Sequence, residues 1–288
     1  WTVPPRVRAP VPAVPPAMRK IRPDLMTAVI APTDPRDLAP PPAPASLLRN
    51  RGPLALFLDL DGVLAPIESR PEDVGPDPRR SRLLDALTGA LEGRLAVLSG
   101  RALADVDRIL EGRVIAVAGV HGLERRSADG RVETQGAEAD VALAVEGLAQ
   151  TLSAEIADGV EIENKGVGVA VHYRNAPDRA AGVRHATTTL ARDHGLHLQP
   201  GHMVVELKGG DADKGLALTA FLAEAPFAGA RPVMIGDDRT DEAAFRAAEA
   251  AGGFGILVDP RWVSAARYGL ADTRAVTDWL TQLAEVAR

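Results

Sequence analysis

The sequence predicts an α/β fold, a doubly wound parallel sheet core with an inserted α+β cap domain of αββαββ type. Three observations carry that prediction. Five short runs, LALFLDLD (54–61), RLAVLSG (94–100), VIAVAG (114–119), RPVMIGDD (231–238) and FGILVD (254–259), are apolar at both alternating positions, the habit of strands covered on both faces. Helical stripes lie between them, with Leu83, Leu84, Leu87, Ala90 and Leu91 on one and Leu103, Val106 and Leu110 on the next, as crossover helices require. Residues 127–206 break the rhythm and read helix, strand, strand, helix, strand, strand.

In chain order, residues 1–51 come first, a Pro-rich leader; counted to Pro53, this end holds 14 of the 23 prolines. Without sustained periodicity it cannot bury enough apolar surface to offset its ordering entropy, and is expected to be disordered. The chain opens on Trp1, so the start of translation is expected upstream, or at Met18 or Met26. Residues 52–126 form the first part of the core, 127–206 the cap and 207–288 the second part of the core. In the cap, an amphipathic run near 138–157 precedes VEIENKG and VGVAVHYR, which meet at Lys165-Gly166 as a hairpin. A helix near 178–194 and the strands HLQP and HMVVEL follow. Inserted between the third and fourth core strands, the cap should sit over the carboxyl ends of the parallel strands, where open α/β sheets bind ligands.

Composition excludes several classes. A formal charge of −6 disfavours nucleic acid or an acidic membrane surface as partner, so an anionic substrate would need local cations or a metal. With no cysteine, disulfides, thiolate zinc sites and cysteine nucleophiles are ruled out. The six histidines show no zinc-ligand spacing. No apolar run approaches the ~18 residues that span a bilayer. A soluble, cytoplasmic protein with no nucleic-acid or membrane partner is expected.

Four constellations carry chemistry. Asp59 and Asp61 end the first core strand and point to the same side, with Gly62 turning the chain away. Two carboxylates placed together repel unless a hard cation such as Mg²⁺ sits between them. Gly236-Asp237-Asp238-Arg239-Thr240-Asp241-Glu242 follows the strand RPVMI and adds acids at the same sheet edge; alone, it could equally be N-capping. Ser99, Gly100 and Arg101 end the second strand and open a helix, joining a hydroxyl, helix amides and a guanidinium as a phosphate site would; a simple cap would use the same residues. Lys214 opens a helix, where it opposes the macrodipole, which points to a nearby anion or to a solvated surface lysine.

Asp-x-Asp-Gly-Val, Ser-Gly-Arg, Lys-Gly and Gly-Asp-Asp-x-Thr-Asp-Glu, in that order, resemble the motifs of the haloacid dehalogenase superfamily, and within it most closely the trehalose-6-phosphate phosphatases, over roughly residues 52–288. The resemblance implies that Asp59 is the nucleophile, forming an aspartyl phosphate, and that Asp61 is the acid and base. It implies Mg²⁺ held by the Asp59 side chain, the Asp61 backbone carbonyl and Asp237, with Asp238 and Asp241 in support. Ser99 and Lys214 would bind phosphate oxygens, and Arg101 would lie near them. The implied substrate is trehalose 6-phosphate, and a trehalose-6-phosphate synthase is a candidate partner. Another glycosyl phosphate (sucrose phosphate, a glycosyl-phosphoglycerate), a phosphomutase and a non-catalytic sugar-phosphate sensor are the alternatives.

Alternation in the cap strands separates Val167, Val169, Val171 and Tyr173 from His172 and Arg174. It also groups Glu161, Glu163 and Lys165, and then His202, Val204, Glu206 and Lys208. The resulting polar face is either a wet surface or a sugar-binding one, with Glu163, Lys165, His172, Arg174, His202 and Glu206 as candidate contacts. His121, at the core-to-cap junction, resembles the family's His-Gly element. Val120, where some members carry Glu or Asn, and His202, where a Lys is frequent, depart from the pattern and bear on the choice of sugar.

Overall fold

The computed structural model describes residues 38–48, 52–68, 70–136, 138–201 and 203–287. Leader residues 1–37 and His202 lie outside the described residues. The first half of the core runs α1 (Pro44–Leu48), β1 (Leu54–Leu58), α2 (Pro78–Ala90), β2 (Leu95–Leu98), α3 (Leu103–Leu110), β3 (Ala116–Gly119), β4 (Glu124–Arg126) and β5 (Val132–Thr134). Next come α4 (Glu138–Thr151), α5 (Ser153–Ala157), β6 (Glu161–Asn164), β7 (Gly168–His172), α6 (Ala180–His194), β8 (His197–Gly201) and β9 (Val204–Lys208). The chain then returns through α7 (Lys214–Leu222), β10 (Arg231–Gly236), α8 (Glu242–Ala250), β11 (Phe254–Val258), β12 (Tyr268–Leu270) and α9 (Thr273–Val286).

All five apolar runs are strands of one sheet, ordered β12-β11-β10-β1-β2-β3-β4-β5. The pairs from β12 through β3 are parallel, and β4 and β5 add antiparallel. Period two explains why β1 is buried on both faces: Leu54, Leu56 and Leu58 join α2, α3 and α9 on one side, while Ala55 and Phe57 meet α7 and α8 on the other. With few aromatics, the second layer is filled by one cluster in which the Phe227 ring stands 5.5 Å from both Phe57 and Phe221. The chain leaves β1 toward β2 and β3, then comes back to pair β10 on the opposite flank of β1. That reversal is the topological switch point at which such sheets open a crevice.

Two boundaries differ from the sequence expectation. Residues 38–48, assigned to the leader, pack on the core: Leu47 is buried, Trp279 Nε1 donates to Pro42 O at 3.1 Å, and Ala39 bridges β12. The apolar Leu47-Leu48 pair supplies the burial that the surrounding prolines mask in composition. β4 and β5 extend the core sheet, so residues 127–134 belong to the core edge and the inserted unit spans α4 to β9. These strands are three residues long and, apart from Val132, polar, too short for an alternation to read.

The insert is a four-stranded antiparallel sheet, ordered β6-β7-β9-β8. Val169, Val171, Val205 and Leu207 pack under α4 and α6. The register aligns Glu163, Ala170, Glu206 and Gln199 in one row on the other face, with the small Ala170 leaving the two glutamates room.

Candidate active site

Directly after β1, Asp59 is drawn into the sheet edge by its own amide, which donates to Ile235 O at 2.9 Å. One carboxylate oxygen accepts from Leu60 N at 2.7 Å, the other from Lys214 Nζ at 2.7 Å. Lys214 also donates to Asp241 Oδ1 at 2.7 Å, so the anion its helix position called for is a pair of buried carboxylates. The second Asp241 oxygen accepts from the amides of Asp237 and Asp238 at 2.9 and 3.0 Å, which shapes the acidic loop. Gly62, at φ 72°, is obligatory twice over: the conformation is left-handed, and a Cβ there would fall 2.0 Å from the Asp237 carboxylate.

Carboxylate oxygens of Asp59, Asp237 and Asp241 lie within 4.8 Å of one another. Burial pushes the Asp59 carboxyl well above its usual range; Lys214 opposes this, while Asp241 and Asp237 add to it. Burial, then Asp241, raises Asp237 to about 7. Burial alone would lower the Lys214 ammonium, but Asp241 and Asp59 overcome it and hold the group charged. Three hard oxygen donors, two of them penalised for carrying charge in this packing, suit a divalent cation. Asp238 instead turns its carboxylate to Arg239 N at 2.6 Å and caps the turn.

Asp61 points elsewhere. Both its oxygens are gripped by Arg101, from Nε and from Nη2, at 2.8 Å each, a forked pair that fixes orientation as well as charge. Arg101 also donates to Asp105 Oδ2 at 2.6 Å and Pro71 O at 2.8 Å. Burial would lower this guanidinium, and Asp61 and Asp105 raise it instead. Ser99 is fully buried and its hydroxyl accepts from Arg101 N at 3.2 Å; it braces the wall from behind, and the cavity is lined by Gly100 and Arg101.

Above these groups lies a cavity of about 910 Å³, whose other wall is the polar face of the cap sheet. Glu206 lines it, 2.6 Å from Lys165 Nζ and 2.6 Å from His121 Nε2. Burial works against the Glu206 charge, yet Lys165 and His121 hold its carboxyl well below the usual range. Lys165 reaches the core at Gly100 O, 2.9 Å, and Arg174 reaches Glu68 O, 2.9 Å. Glu163 meets His172 at 2.9 Å; burial raises its carboxyl and His172 with Lys165 more than reverse that. At the junction, Val120 and His121 adopt left-handed φ of 45° and 56°, a conformation costly for a β-branched residue. Their amides are held by Arg101 O and Ser99 O at 2.8 and 2.9 Å.

Lys208, grouped with this face by alternation, turns to Ala212 O and stays off the cavity. Sequence reading did not single out the residues after β11 and β12 that complete the wall, Asp259, Arg261, Trp262, Asp272 and Thr273. The carboxyl-end rule that located Asp59 applies equally to FGILVD and would have found the first three.

A double-wound core, an insert roofing its carboxyl edge and a Lys–Asp cluster at the switch point define the class, a phosphatase of the haloacid dehalogenase type. Residues 57–274 match the profile of the trehalose-phosphatase family, and the chain belongs to that family. It is 42% identical over 209 residues to the probable trehalose-phosphate phosphatase of Sinorhizobium fredii, covering 72% of this chain and 78% of that protein. With the trehalose-6-phosphate phosphatase of Escherichia coli it shares 35% over 234 residues, 80% of this chain and 86% of the other. A solved trehalose-6-phosphate phosphatase related protein superposes with TM-score 0.68 at 25% identity, over 80% of this chain and 97% of that one. The C-terminal domain of the C. albicans trehalose-6-phosphate phosphatase gives TM-score 0.73 at 20% identity, over 86% and 99%, which bears on the fold alone.

Proposed function

We propose that the chain hydrolyses trehalose 6-phosphate to trehalose and phosphate through a phosphorylated Asp59. The observation that carries this reading is the buried Asp59 carboxylate, anchored by Lys214 at the floor of a cavity roofed by sugar-compatible polar groups. An Asp59 oxygen attacks phosphorus, forming a P–O bond as the bond to the sugar oxygen breaks. The leaving oxygen takes a proton from Asp61, which must first bind one from solvent against its fork to Arg101. In the second displacement Asp61 takes a proton from the water that attacks phosphorus, and the Asp59 carboxylate is released. Arg101 orients Asp61 through its fork. Lys214 neutralises the floor so that a phosphate dianion can approach.

Asp59, Asp237 and the Asp61 backbone carbonyl would hold Mg²⁺, with Asp241 shaping the loop beneath. When bound, Mg²⁺ screens the nucleophile from the phosphate and balances charge in the transition state. Lys165, Glu206, Glu163 and His172 offer hydroxyl partners, a direction of charge and hydrogen bonding that a sugar can share. On this reading the substrate is supplied by a trehalose-6-phosphate synthase, and the enzyme works in the cytoplasm, where charged sugar phosphates are retained. Among the described residues, no helix is long and apolar enough to cross a membrane.

The test is phosphate release, with Mg²⁺, from trehalose 6-phosphate, sucrose phosphate, a glycosyl-phosphoglycerate and glucose 6-phosphate. Trehalose 6-phosphate should give the highest kcat/KM. No release from it, alongside release from another sugar phosphate, would replace the substrate.

A further inference from the structure

Glu242 closes the acidic motif yet takes no part in the chemistry above. Its carboxylate spans to the segment after β11 and accepts three bonds there, from Trp262 Nε1 at 2.9 Å, Ser264 Oγ at 2.6 Å and Ala265 N at 2.9 Å. One of these bonds holds the Trp262 indole and the other two hold the segment that carries it, and Trp262 is among the residues that line the cavity. The Arg239 guanidinium stacks over it, 5.3 Å from the ring centroid. Among the described residues Trp262 is the only Trp, Tyr or Phe on the cavity wall, in a chain that is 3% aromatic. Arg239 covers part of the half-buried indole and the ring packs against the core cluster, so what it offers a ligand is the remaining surface, where Trp262 lines the cavity.

Position tells which part of the ligand meets it. In the sheet order β11-β10-β1, strand spacings of about 4.8 Å put the end of β11 roughly 10 Å along the edge from Asp59. That is beyond a bound phosphate and within reach of the sugar it carries. Pyranose rings have apolar C–H faces bordered by hydroxyls, which the uncovered part of the indole and the guanidinium stacked over it complement together.

We infer that Trp262 is a specificity-determining contact for the sugar, packing against the ring farther from the phosphate, and that Glu242 is its positioning residue. The inference rests on the trehalose 6-phosphate reading and adds a second determinant on the core side, opposite the cap. It is tested by steady-state kinetics of the Mg²⁺-loaded full chain with trehalose 6-phosphate, using inorganic phosphate as a competitive product inhibitor. Trp262→Ala should raise KM about tenfold while kcat changes less than about threefold. The inhibition constant for phosphate should not move, because phosphate binds at the floor. Trp262→Phe, which keeps an aromatic face, should restore most of the lost affinity, and Glu242→Gln should raise KM by a smaller factor of about three. An unchanged KM in Trp262→Ala would overturn the inference, as would a parallel rise in the phosphate constant, which marks general damage. If wild-type protein ignores trehalose 6-phosphate, the substrate reading fails by itself; the same KM comparison on the sugar phosphate it does hydrolyse then decides the Trp262 contact.

Discussion

Lys214 and Asp59 lie 155 residues apart in the chain, and their side chains meet at 2.7 Å. The whole cap is threaded between them, so the site exists only when the two halves of the core have closed into one sheet. Because Lys214 bridges Asp59 and Asp241 with almost no exposure, its charge holds together a packing that would otherwise bury two facing anions.

Lys214→Ala should therefore fail in two measurable ways. Urea unfolding of the variant should show a loss of about 3 kcal/mol, the cost of leaving buried charge without its partner. Turnover of trehalose 6-phosphate should fall about 100-fold or more, since in the proposed mechanism the cation also faces the charge that develops on phosphorus.

Metal binding should depend on pH in a stated direction. Asp237, raised to about 7 by burial and by Asp241, holds a proton below neutrality that a cation must displace. Apparent Mg²⁺ affinity, read by calorimetric titration without substrate, should rise with pH from 5.5 to 7 by about tenfold per pH unit or more, because Asp59 as well as Asp237 gives up a proton to the cation. A flat profile would contradict a site built on Asp59 and Asp237.

Much of this was legible in the sequence, and the reasons are local. Strand runs covered on both faces leave an unmistakable apolar texture, and Asp59, Asp237 and Lys214 sit at strand ends or helix starts, which position along an element locates. Tertiary contact decided the rest. Nothing near Arg101 predicts that it forks onto Asp61, nor that Asp241 spends both oxygens on Lys214 and the loop amides. Alternation put Lys208 on the polar face, but a short hop to Ala212 O draws it away. The short polar strands β4 and β5 take their identity from the sheet edge they join.

Arg101→Met should separate orientation from binding. With the fork removed, the Asp61 carboxyl loses its fixed direction, and kcat should fall about 10- to 100-fold. A loss carried entirely by KM would instead assign Arg101 to substrate binding alone.

Glu206 gives a signed test of the cap-to-core contact. Its carboxyl, held low by Lys165 and His121 against the cost of burial, contributes stability that is fully present above the ordinary value of 4.5 and lost as pH falls toward the depressed folded value. Glu206→Gln should melt below wild type at pH 7, and the gap should narrow as pH falls below about 4.5. A gap constant from pH 7 to pH 3 would show that the charge contributes nothing.

The most direct measurement is capture of the phosphorylated side chain. Protein mixed with trehalose 6-phosphate and Mg²⁺, quenched within one turnover and treated with borohydride, should yield a peptide in which residue 59 alone has been reduced to a homoserine side chain, as an acyl phosphate is. Reduction at another carboxylate, or turnover with residue 59 unmodified at every quench time, would contradict Asp59 as the group that takes the phosphate.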